Sequence, residues 1–548
     1  MHKRFSRPGK TAEKAAFTVL VAALFLFNPI FARGQTPRLL VVIVAEQFRA
    51  DYLDRYRAGF GSGGFERLLA EGAWFRRCRY HHQATLAAPG AAVLSTGAYA
   101  EMNGIVADAW YDVEQQRLVG AAESAASSAS TDAPNQIVSP GNLIGSTLAD
   151  ELRLGTDGQS RVISISGRPE PGALLGGRGP AGCYWMAGDG RFHTSSYYAD
   201  ATPEWVDAFN KEYPPSRHVG AAWKAVGADQ NSPALRVLGA GGSDGAESFW
   251  PLYRASPFAI ADTLAFADRA IAEGRLGLGA YPDLLFVNLS APAYLALETG
   301  AESPLMRDLV LHLDKSLEAF LTKLDERIGA GNFGIAFTST HGIPPLPSSA
   351  RIRGVPSGRV SGPDLVDAMN AALAKQFGPR VFVEKYVYPF VYLSADARGR
   401  TSAERSLIVR AAGEAASKLA GVAGYYSPLA SSAPAALADV LRHTWNGKRS
   451  GSLMLVYEPF FVESYGDGRG TAPGSPYSYD TDVPLILYGR RIRPGAYESD
   501  IDASSIAPTP AALLRIAAPS GATGRVLSEA LYSADAFTGT AVGPPAPR

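Results

Sequence analysis

Three side chains in this sequence combine a good donor atom with a position at the end of an apolar run: Glu46, His341 and Asp482. Glu46 closes RLLVVIVA (38–45), His341 follows GIAFTST (334–340), and Asp482 immediately precedes VPLILYG (483–489). Carboxylate and imidazole groups delivered from separate strand ends are how a metal site is assembled in an α/β protein. The segment HHQATLAAPGAAVLSTG (81–97) is a candidate partner for such a site. Pro89 suits the first turn of a helix, where its preset φ fits and its missing N–H would be unbonded anyway. Residues just ahead of it would sit over free backbone N–H groups, a favoured place for an anion or a nucleophile. A nucleophile there needs a hydroxyl or thiol at position 87 or 88, and the chain has Ala87 and Ala88.

The elements that would position these residues are legible as alternating patterns. RLLVVIVA, RVISI (161–165), DLLFVNLS (283–290), GIAFTS (334–339) and VPLILYG are apolar at nearly every position, as strands buried on both faces are. Between them lie helical stretches. One follows Ser139-Pro140 with Ile144, Leu148 and Leu152 on one face, and one runs through SPFAIADTLAFADRAIAEG. A third starts at Ser303-Pro304 and carries Leu309, Leu313, Leu317, Phe320 and Leu324, leaving His312 off the stripe as a solvated residue. TPAALLRIA (509–517) supplies a last one. The order predicts an α/β fold, a mainly parallel sheet covered by helices on both faces, with ligands beyond the strand carboxyl ends. Residues 172–245 read as loops and hairpins decorating that sheet. Residues 346–462 read as an inserted small α+β subdomain, splitting the core into 35–345 and 463–540, with a disordered tail at 541–548.

The 548 residues are 46% apolar and carry no formal net charge, which removes any general electrostatic case for nucleic acid. Residues 1–34 read as an export signal: a basic start, the apolar run Ala15–Phe27, and Ala32-Arg33-Gly34 as a cleavage pattern. Export to the periplasm or the extracellular space follows, with a cleaved signal and a retained anchor both open, and no other run is long enough to span a membrane. Cleavage after Gly34 removes six basic residues and one acidic residue, leaving 46 and 51 and a charge of −5. An oxidising compartment permits a Cys78–Cys183 disulfide, although two buried free thiols fit equally well.

Read in order, IVAEQFRADYL, ATLAAPGAAVLSTG, NGIVADAWYD, SAPAYLALETG, FTSTHG, KRSGSLMLVYEP and GSPYSYDTDVPLILYG resemble the alkaline phosphatase superfamily. The nearest branch is the secreted PafA-type phosphatases, beside the type I phosphodiesterases and nucleotide pyrophosphatases. The resemblance implies an alkaline-phosphatase-like fold. In active members two zinc ions and a Thr or Ser nucleophile displace an alcohol from a phosphate ester. It also implies where those groups would stand. The nucleophile's position is Ala87, a following His is Ala91, and the first metal-binding Asp is Glu46. A D-Y-x-x-H pair becomes Ala293 and Leu297, Asp-His-Gly becomes Thr340-His341-Gly342, and two later histidines become Pro473 and Asp482. A phosphate-contacting Asn becomes Asp108, and a Lys-x-Arg pair becomes Pro169 and Pro171. Pro89, Gly90, Gly97, Gly104, Trp110, Asp112 and Gly342, which set turns and packing, are kept.

The expectation is a catalytically inactive relative that acts by binding an unidentified small-molecule or protein ligand. It expects no zinc, and at most one weakly bound ion at the remnants Glu46, His341 and Asp482. Three alternatives stand beside it. One is a metal-dependent phosphomonoesterase or phosphodiesterase rearranged around Thr85 or Thr340, with His81 or His82 supplying ligands rather than lying on the surface beside Tyr80. The others are a metal-free enzyme with a new substrate, and a structural protein whose cleft is packed shut by side chains such as Leu297.

Overall fold

Leu39–Ala45 forms the central strand β1, with all seven residues buried. Leu39, Val41, Ile43 and Ala45 feed one hydrophobic core and Leu40, Val42 and Val44 the other, so the strand alternates between two covered faces. The computed structural model describes residues 36–124, 137–229, 231–239, 245–464 and 470–532, so the signal reading at 1–34 and the tail fall outside it. Around β1 lie β2 (Ala73–Arg79), β3 (Val162–Ser166), β4 (Gly182–Met186), β5 (Phe192–His193), β6 (Asp283–Leu289), β7 (Phe333–Thr338), β8 (Asp482–Gly489) and β9 (Gly495–Asp502). They make one nine-stranded sheet in the order β9-β2-β8-β7-β1-β6-β3-β4-β5. Pairing is parallel except where β8 meets β7 and β2 and where β5 meets β4.

Helices cover both faces. On one face α1 (Ala87–Thr96) packs against α2 (Pro169–Gly176). On the other lie α3 (Pro257–Glu273), α4 (Ala291–Thr299) and α5 (Pro304–Ile328), whose stripe Leu309, Leu313, Leu317, Phe320 and Leu324 is buried as its spacing requires. Residues 383–387, 390–393, 422–427, 430–431 and 453–457 build a separate antiparallel sheet, backed by helices Gly362–Phe377 and Ser402–Ala416 over their own core. Among the described residues no helix is long and apolar enough to cross a membrane.

Three local expectations need correction, and of the two open cysteine readings one is found. The helix expected from Ser139-Pro140 begins only at Leu148, because Thr147 and Asp150 form a reciprocal capping box; Ile144 is left exposed. The region 172–245 is more than decoration, since it contributes most of α2, all of β4 and β5, and a helix at Glu204–Glu212. His312 is half-buried and bonds the Lys224 carbonyl at 3.0 Å. Cys78 and Cys183 are free and buried, on strands six steps apart in the sheet. At roughly 4.8 Å per step that is far beyond disulfide reach.

Candidate functional site

The carboxyl ends of β1, β3, β6 and β7 lie at one edge, and the predicted residues diverge there. Glu46 follows β1, its amide donating to the Leu289 carbonyl at 3.0 Å and its side chain fully buried. Gln47 then turns the chain with φ +58°, a strained conformation for a non-glycine residue. The register sets Val44 opposite Asn288 and Asn288 opposite Ser166, which brings three strand ends onto the Glu46 carboxylate. Asn288 Nδ2 and Ser290 Oγ each donate to Glu46 Oε1 at 2.5 Å, and Asn288 Nδ2 also donates to Ser166 Oγ at 2.9 Å. The other oxygen, Oε2, accepts from Arg168 Nη2 at 2.7 Å. A Cβ on Gly167 would lie 2.7 Å from Ser290 Oγ, so glycine there allows the close approach that aims Arg168 inward.

Arg168 is the residue that sequence reading missed. It is the N-cap of α2 and sits one position before Pro169, which with Pro171 merely starts that helix. The signal available was a basic residue just past an apolar run, in a fold whose ligands gather at strand ends. Burial works against the charged form of Arg168, but the Glu46 and Asp108 carboxylates and Tyr294 more than offset it and raise its pKa. Asp108, half-buried, accepts the Ala88 N–H of α1 at 2.7 Å. Burial raises its pKa, while Arg168 and that N–H pull it back down. Burial likewise raises Glu170, again moderated by Arg168.

α1 delivers the expected helix start, yet its first residues bring no reactive group. Ala87, Ala88 and Ala91 are buried, and α1 lies so close to the end of β7 that a Cβ on Gly90 would fall 2.3 Å from the Thr340 carbonyl oxygen. Thr85 Oγ1 donates to the Ser475 carbonyl at 2.9 Å. Thr340 Oγ1 is buried without a partner among the described residues. His341 Nδ1 lies 2.7 Å from the Gly342 carbonyl and therefore carries the proton. Burial lowers the His341 pKa to about 4, with Glu46 raising it and Arg168 lowering it, so the ring is neutral and belongs to the Glu46 cluster.

The remaining predicted residues go elsewhere. Asp482 is clasped by Arg79 at 2.5 and 3.1 Å and lines a different cleft of about 640 Å³ with Arg49, Arg76 and Glu302. His81 bonds Asp502 at 2.7 Å. His82 is not a surface residue: it is fully buried between the Tyr80 and Tyr99 rings, and burial, then His341, lower its pKa to about 3. Ala293 is buried on α4, while Leu297 is exposed on the same helix. Neither offers a donor. Pro473 lies in the loop ahead of Ser475, whose amide and hydroxyl both bond Asp480.

These residues do not fit a zinc ion. Both Glu46 oxygens are taken, Asp482 faces another cleft, and no group of three or more His, Cys, Asp or Glu among the described residues could hold a metal. Protein zinc sites use about three or four such ligands.

The sheet order, the inserted subdomain and a site at the strand ends define a class, and comparison with known proteins identifies it. The family model for type I phosphodiesterase / nucleotide pyrophosphatase matches residues 40–468, and the chain belongs to that family, in the PafA-type branch of the alkaline phosphatase superfamily. It is 30% identical over 516 residues to alkaline phosphatase PhoV of Synechococcus elongatus, covering 90% of this chain and 93% of that one. Alkaline phosphatase PafA of Elizabethkingia meningoseptica is 28% identical over 519 residues, 90% of this chain and 94% of the other. The crystal structure of wild-type PafA superposes with a TM-score of 0.82, covering 91% of this chain and 99% of its own.

Proposed function

We propose that the protein is an exported member of its family that has lost catalysis and acts by binding a ligand at the strand-end cleft. One observation carries this reading: the position implied for the nucleophile is Ala87, on a helix start that is otherwise intact. Phosphoryl transfer through a protein nucleophile needs a hydroxyl oxygen at that helix start to form the new bond, and the Ala87 methyl supplies none. Binding is supported by Arg254, whose guanidinium lies 4.8 Å over the Tyr294 ring with no carboxylate partner among the described residues. It lines a recess with Thr263, Ser290 and Tyr294 that Ser290 joins to the Glu46 cluster; its free volume of about 10 Å³ is that of a single water, so a ligand there must displace its walls. Export rests on the basic and apolar pattern of residues 1–34.

The test is metal content of the purified protein together with hydrolysis of a phosphate monoester and a phosphodiester, with and without added zinc. Absence of turnover in every condition is expected. Turnover with near-stoichiometric metal would overturn the reading in favour of a rearranged phosphoric ester hydrolase. That second reading is favoured by the family membership, by relatives named alkaline phosphatases and by the unpartnered Thr340 hydroxyl. Loss of that turnover on Thr340→Val would then identify the displaced nucleophile.

A further inference from the structure

We infer that Arg168 is a built-in replacement for a bound cation, and that Asp108 closes the anionic side of the same site, so that its charges are satisfied by the chain itself. The inference rests on the site being the one described above and goes further, in saying what took the metal's place.

The geometry argues it in three steps. A fully buried carboxylate such as Glu46 is costly unless it is neutralised and hydrogen-bonded. In this fold the charge opposite a strand-end carboxylate would come from a metal. Here it comes from Arg168 Nη2 at 2.7 Å, while Asn288 and Ser290 satisfy the second oxygen. Next, the N–H groups at the start of α1 attract an anion. Asp108 Oδ1 accepts the Ala88 N–H at 2.7 Å, so a protein carboxylate occupies that place. Finally, the two replacements stand at the starts of packed helices: Arg168 caps α2, Asp108 bonds the first turn of α1, and α1 lies against α2. Cation and anion have been replaced together, as a pair of opposite charges requires.

Arg168 is also firmly framed where it reaches Glu46. It comes from the turn between β3 and α2, held by its own amide on Ser166 Oγ at 3.1 Å. Gly167 and Pro169 flank it, one permitting close approach and the other fixing the helix start. A surface arginine that happened to fall inward would have no such frame.

Three variants test this by thermal melting and bound-metal analysis: Arg168→Gln, Glu46→Gln and the double variant. Leaving Glu46 buried and unpaired should lower the melting temperature of R168Q by about 3–5 °C for a chain of this size. The double variant should recover most of that loss, because the charge needing compensation is gone. Zinc at 1 mM should not raise the melting temperature of R168Q, because Glu46 and His341 are two ligands where a zinc site needs about three or four. It should leave the wild type and the double variant unchanged.

Strictly additive losses would overturn the inference. So would zinc bound to the wild type, which would return the cation to the place assigned to Arg168. The failures separate cleanly. A wild type that is metal-free yet hydrolyses phosphate esters sinks the proposed function and leaves Arg168's role intact. A wild type that is inactive and metal-free, with strictly additive losses in the variants, sinks only the role of Arg168. Zinc bound to the wild type without turnover sinks the role of Arg168, and with turnover it sinks both.

Discussion

His82 sits in the fold with both ring nitrogens buried and unbonded, which few native histidines do. Its neighbours explain why it is tolerated: the Tyr80 ring lies 5.3 Å away, nearly parallel, and the Tyr99 ring 5.2 Å away. The imidazole is therefore used as a flat apolar plate. Replacing it by Phe keeps the plate and removes two unsatisfied polar atoms, so His82→Phe should melt no lower than wild type, or gain up to about 1 kcal/mol. His82→Ala should lose about 3 kcal/mol through the cavity it opens. If urea melts show the Phe variant losing as much as the Ala variant, the nitrogens have a partner and the reading fails. Glu46 shows the opposite treatment of a buried polar residue, every oxygen bonded.

At the scale of elements, the site depends on how closely α1 rests on the end of β7. A Cβ at Gly90 would meet the Thr340 carbonyl carbon at 2.8 Å as well as its oxygen at 2.3 Å, and backbone cannot swing aside as a side chain can. Gly90→Ala should therefore cost about 2–3 kcal/mol, whereas Gly188→Ala, with nothing near its Cβ, should stay within about 0.5 kcal/mol. Equal melts for the two variants would show that α1 can shift without penalty. The kept Gly90 is a packing signal that sequence carries well, and the same holds for β1, β6, β7 and the stripe of α5, whose periodicity follows from burial. β2 was harder to see. Arg76, Arg77 and Arg79 point outward and interrupt its apolar run, so WFRRCR reads as a basic segment rather than a strand. Arg168 escaped for a related reason: a residue that works through a partner 122 positions away leaves no local pattern. Asp482 was legible as a donor at a strand end, but the ion pair with Arg79 that turns it to another cleft is a cross-strand contact, set by register.

For the whole molecule, two consequences follow from what the sheet and its cores bury. With Cys78 and Cys183 on distant strands, melting should be the same with and without reductant, and a shift would mean a bridge between chains. Acid response is the subtler one. Burial raises Asp480 to about 7 against the hydrogen bonds from Ser475, and raises Glu463 to about 7 against those from Tyr457 and Tyr386. In the folded state each takes up a proton below about pH 7, where the unfolded chain does so only near 4, so each adds stability as pH falls through that window. His82 and His341, held near 3 and 4, do the reverse: the unfolded chain protonates them below about 6.5 while the fold keeps them neutral, and stability is lost. Two groups of each sign nearly cancel between about pH 6.5 and 4.5. Asp480→Asn breaks the balance, since Asn still accepts from Ser475 but takes up no proton. Over that window wild-type Asp480 holds a proton in the fold and none in the unfolded chain, and the variant lacks that difference of one proton. Its stability relative to wild type should then fall by about 1.4 kcal/mol per pH unit on acidification. Denaturant melts of both proteins at pH 6.5, 5.5 and 4.5 measure this directly; parallel curves would mean that Asp480 titrates in the ordinary carboxylate range and that the fold's acid tolerance comes from elsewhere.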